Sequence, residues 1–169
     1  MSKNSRAKHH TQRRNWHSNP TGGLWVLQQQ YARNVQASPL SDEELLKTRM
    51  YGRQAFEALL SNAVPTADDW ANVTNSVNTA LLLAEDGYGI EHQDVFIRGQ
   101  EALVRAYIRN QKTGKWRLDG EGIQAVRDAL YLHDQQCELV SNGDYNKALQ
   151  AVEARIENDN VFEIEVIAA

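Results

Sequence analysis

Residues Gln93–Lys112 read QDVFIRGQEALVRAYIRNQK, and their periodicity decides the fold class. Phe96, Gly99, Leu103, Ala106 and Tyr107 recur at steps of three and four, so they line one face of an α-helix. Arg98, Arg105, Arg109 and Lys112 fall together on another face, within roughly 60° of arc at about 100° per residue. One helix therefore carries a core stripe and a basic stripe.

Signals on either side extend the helical reading. Ser41 followed by Glu44 forms a capping box, with Asp42, Glu43 and Glu44 suited to the positive end of a helix dipole. That helix is predicted to reach about Asn62, with Leu45, Leu46, Phe56, Leu59, Leu60 and Ala63 as its core stripe. Arg49 falls inside the stripe and Arg53 at its border, where an arginine either snorkels or is paired. Thr66 and Asp69 make a second capping box, ahead of Trp70, Val73, Val77, Leu81 and Ala84 at helical spacing. Gly87 is the expected residue just past that helix, and Thr113-Gly114 ends the 93–112 helix.

A further helix starts at Asp119-Gly120-Glu121-Gly122 and reaches about Val140, with Val126, Ala129, Leu130, His133, Cys137 and Val140 on its apolar face. Asn142-Gly143 reads as a turn, with Asp144 capping a last helix of Tyr145, Ala148, Leu149, Val152 and Ile156. Near the start, Pro20-Thr21-Gly22-Gly23 is punctuation, and Gln28–Gln36 favours a helix. No proline follows Pro65, which favours long helices separated by glycines. The expected fold is all-α: a single-domain bundle of about five or six helices spanning residues 21–158. Residues 1–20 are expected to form a disordered basic arm, because they lack the aliphatic side chains to offset ordering. In the extended tail, residues 159–169, Phe162, Ile164 and Val166 alternate with Glu163 and Glu165 as in a strand. Its partner would be Leu24–Gln28, another subunit, or nothing.

Composition narrows the setting. The single cysteine, Cys137, allows no intrachain disulfide, so a reducing, cytoplasmic environment is expected. No run of about 18 apolar residues occurs, so no membrane span is expected. No apolar segment follows the basic N-terminus as in a secretory signal. The net charge of −4 conceals two basic islands. Residues 1–20 carry five cations and no acid, and residues 98–117 carry six cations against Glu101 alone. The rest of the chain is acidic.

Catalytic signals are weak. His133 and Asp134 are adjacent and point about 100° apart on a helix, so they do not face each other. Cys137 lies one turn after His133, but nothing electropositive surrounds it in the helix. Gly87-Tyr88-Gly89 lacks the flanking pattern of a phosphate loop. His9, His10 and His17 stand in the arm without cysteine or carboxylate, so no metal is assigned. No cofactor and no catalytic residue are assigned either, and the expectation is a non-enzymatic protein.

The basic islands carry the functional signal. Lys3, Arg6, Lys8, Arg13 and Arg14 in the arm, and Arg98, Arg105, Arg109, Lys112, Lys115 and Arg117 beyond it, suit phosphate contacts. Trp116 would either stack on a base or pack on the core. The expected partner is nucleic acid or a host nucleoprotein complex, and a homo-oligomer is compatible with the sequence. This reading requires the α-helical arginines to gather on one side without being locked against neighbouring carboxylates. The alternative is inhibition of a host defence complex, through an acidic surface that includes Glu157, Glu163 and Glu165.

The stretch 75–136 resembles a group of small helical proteins of bacterial phages, plasmids and related mobile elements. The matching residues are Asn78-Thr79-Ala80-Leu81 ahead of Gly87-Tyr88-Gly89, then Gly99-Gln100-Glu101-Ala102-Leu103. Gly114-Lys115-Trp116-Arg117-Leu118 and Ala129-Leu130-Tyr131-Leu132-His133-Asp134 follow, and a basic N-terminal arm is also similar. The resemblance implies a mobile-element setting and assigns no site residues.

Overall fold

The structure is a computed structural model. It describes residues 20–61 and 64–157, without the side chains of 20–27 and of Gln30. The described residues form six α-helices and one short 3₁₀ turn: α1 (Pro20–Ala37), α2 (Asp42–Leu60), α3 (Ala67–Glu85), the turn Ile90–His92, α4 (Gln93–Thr113), α5 (Gly120–Leu139) and α6 (Asn142–Glu157). The fold is all-α. The chain divides into two units, residues 1–34, which hold most of α1, and residues 35–169.

Within the second unit, α3 is the central element. It packs against α2, α4, α5 and α6. Val73, Ser76, Val77 and the run Thr79–Ala84 are all buried, so the helix is enclosed on every side over its second half. A helix apolar all round belongs in the interior. Its hydroxyl groups are satisfied within the helix. Ser76 donates to the Asn72 carbonyl at 3.0 Å, and Thr79 donates to that of Asn75 at 2.8 Å. The larger core cluster takes Val73, Val77, Ala80, Leu81 and Ala84 from α3 and packs them with Phe56, Leu59, Phe96, Leu103, Val126 and Leu130. Leu82 and Leu83 join a second cluster with Cys137, Val140, Tyr145, Ala148 and Val152. One helix thus supplies both cores.

The caps explain the boundaries. Ser41 with Glu44, and Thr66 with Asp69, form complete capping boxes at α2 and α3. Gly87 and Gly114 adopt the left-handed backbone, at φ 104° and 70°, that ends α3 and α4. The core stripe of α4 is buried at Phe96, Gly99, Ala102, Leu103 and Ala106.

Four sequence readings are corrected. Helix α1 begins at Pro20, whose fixed φ suits a first helical turn. Leu24–Gln28 is therefore helical and offers no edge to a C-terminal strand. The turn expected at Asn142-Gly143 is the first turn of α6. Its cap is Ser141, whose hydroxyl accepts from the Asp144 N–H at 3.1 Å. Leu46, Leu149 and Ile156 are exposed rather than in the core, since no described helix covers them. The arm before Pro20 and the tail from residue 158 lie outside the described residues.

Gly99 sets how closely α4 approaches its neighbours. A Cβ there would stand 3.1 Å from the Ala129 Cβ of α5 and 3.3 Å from the Val77 Cγ1 of α3. Gly99→Leu is therefore expected to lower the unfolding free energy by at least about 1–3 kcal/mol, measured by urea denaturation. Unchanged stability would show that α4 can move away from α3 and α5 without loss.

Candidate nucleic-acid interface

The arginines of α4 lie on one side of the helix, but each meets a carboxylate. Arg98 donates to Asp94 one turn earlier, at 2.8 Å. Arg105 and Arg109 both reach Asp119, at 3.4 and 3.5 Å. Asp119 is also the N-cap of α5 and accepts the Gly122 N–H at 2.7 Å. The Gly122 N–H, then Arg105 and Arg109, hold its carboxyl below the usual range against the opposing effect of burial. The condition set by the sequence, arginines free of neighbouring carboxylates, is not met by Arg98, Arg105 or Arg109. For Arg105 and Arg109 the sequence could not show this, because Asp119 reaches α4 only once the 114–119 connection folds back; the Asp94–Arg98 pair, one turn apart, is open to helical spacing.

Arg109 and Arg117 extend the same network. Arg109 also donates to the Arg117 carbonyl. The Arg117 guanidinium donates to the carbonyls of Leu59 and Ser61. A cation at the last carbonyls of α2 satisfies groups that have no partner within the helix and opposes the negative end of its dipole. These two arginines therefore tie the connection between α4 and α5 to the end of α2.

Trp116 packs in the same connection. Its ring stacks on Trp70 at 5.2 Å, with Tyr107 5.4 Å from Trp70, and it lies against the larger core. The Trp70 Nε1–H donates to the Leu103 carbonyl at 2.9 Å. Of the two roles open to Trp116, packing on the core is the one its contacts fill. Lys112 and Lys115 are exposed and have no ionic partner among the described residues. Lys3, Arg6, Lys8, Arg13 and Arg14 lie outside those residues.

Two further polar clusters lie outside the basic island. His133 and Cys137 stand 3.6 Å apart in the interior. Burial lowers His133 to about 4 and raises Cys137 to about 12. The pair is thus held as neutral imidazole and thiol, whereas nucleophilic cysteine chemistry needs a thiolate. Asp134 is buried too. Arg53 pairs with its carboxylate and Arg49 donates to its carbonyl, while Arg49 also pairs with Glu138. The arginines read as snorkelling or paired in α2 are paired, and they clamp α2 to α5. At the far end of α3, Asp86, Gly87, Tyr88, Asp144 and Lys147 line a shallow polar hollow. Tyr88 donates to Asp144 and Lys147 to Asp86, both at 2.7 Å. No set of three potential metal ligands occurs among the described residues. None of the described helices is long and apolar enough to cross a membrane. No protein family, curated protein or solved structure matches the chain.

Asp119→Ala removes a cap and the partner of two arginines. The cap is worth about 1 kcal/mol, and the exposed ion pairs add less. Asp119→Asn keeps a capping oxygen, so it is expected to cost less than half as much in urea denaturation. Equal losses would assign the stability to the ion pairs instead.

His133 predicts acid sensitivity. The unfolded chain takes up a proton at this residue near pH 6.5, while the folded chain resists until about 4. Stability is therefore lost as pH falls through this window, by about 2 kcal/mol between pH 7 and 5. Proton NMR would show the His133 ring untitrated at pH 5.5. Titration near 6.5 would contradict its burial as a neutral ring.

Proposed function

We propose that this protein is a non-enzymatic nucleic-acid-binding protein that makes its contact through its N-terminal segment rather than through the arginines of α4. A single observation supports the reading. Residues 1–41 contain Lys3, Arg6, Lys8, Arg13, Arg14 and Arg33 and no carboxylate, and the first acid is Asp42. In α4, by contrast, Arg98, Arg105 and Arg109 are each engaged by a carboxylate. A polyanion meeting the first segment displaces counterions from cations that have no acid near them in the sequence. Meeting α4, it would first have to separate arginines from Asp94 and Asp119. Lys112 and Lys115 add a smaller second contact. The resemblance to mobile-element proteins fits a role on element or host nucleic acid.

Fluorescence anisotropy with a labelled duplex tests this. Five phosphate contacts imply a loss of roughly 10²–10³ in affinity between 50 and 200 mM salt. Replacing Lys3, Arg6, Lys8, Arg13 and Arg14 with glutamine should remove most of the binding and most of the salt dependence. Arg98→Gln with Arg105→Gln should change affinity by less than about threefold, since each cation already has a carboxylate beside it. Absence of binding at 50 mM salt, or binding indifferent to the five arm substitutions, would overturn the proposal.

A further inference from the structure

We draw no further inference here: the strongest candidate, the surface patch of exposed apolar side chains at Leu46 and Met50 of α2 and Tyr131 of the neighbouring α5, is an unpartnered apolar face, and nothing in the structure shows what covers it.

Discussion

The enclosure of α3 is the constraint from which the second unit follows. From Thr79 to Ala84 the helix leaves no side for water, so α2, α4, α5 and α6 must each turn an apolar stripe toward it. Polar residues survive on α3 by internal bonding or by bridging. Ser76 and Thr79 return to carbonyls of their own helix, and Asn78 accepts from Gln100 of α4 at 2.8 Å. A buried hydroxyl left without a partner would cost about 1–3 kcal/mol, so these bonds permit polar residues in the interior. Leu82 and Leu83 carry the same helix into the second core beside α6.

That enclosure also determines what α4 can present outward. With Phe96, Gly99 and Leu103 facing inward, Arg105 and Arg109 lie beside the return connection to α5. Asp119 caps α5 there, and its second oxygen meets both guanidinium groups. Arg117 turns the other way, to the end of α2. Arg105, Arg109 and Arg117 are consequently ties among α2, α4 and α5. These cations contribute to architecture first, and Lys112 and Lys115 are the two that extend from the basic island without an ionic partner among the described residues.

Much of this fold was legible because its signals are local. Ser41 with Glu44, Thr66 with Asp69, and the left-handed Gly114 each act within one turn, so residue order alone reveals them. The stripe from Val126 to Val140 follows from helical spacing. Leu46 and Ile156 were misread because position on a wheel does not say whether another helix covers that sector. Ser141 was missed as a cap because Asn142-Gly143 carries a stronger local signal for a turn. The pairing of Arg105 and Arg109 with Asp119 spans 10–14 residues and a reversal of the chain, beyond any periodicity. The acid-free stretch to Asp42 was fully visible in the sequence, but its weight emerged once the arginines of α4 were found engaged.

Two kinds of cation stand out in the chain: those that hold helices together, and those in a stretch of sequence that contains no carboxylate. The direct measurement is NMR of the full-length chain during titration with a duplex, following the arginine Nε–H signals. The account predicts shifts at Arg6, Arg13 and Arg14, with the Nε–H signals of Arg98, Arg105 and Arg109 unmoved. Shifts confined to Arg98, Arg105 and Arg109 would contradict it.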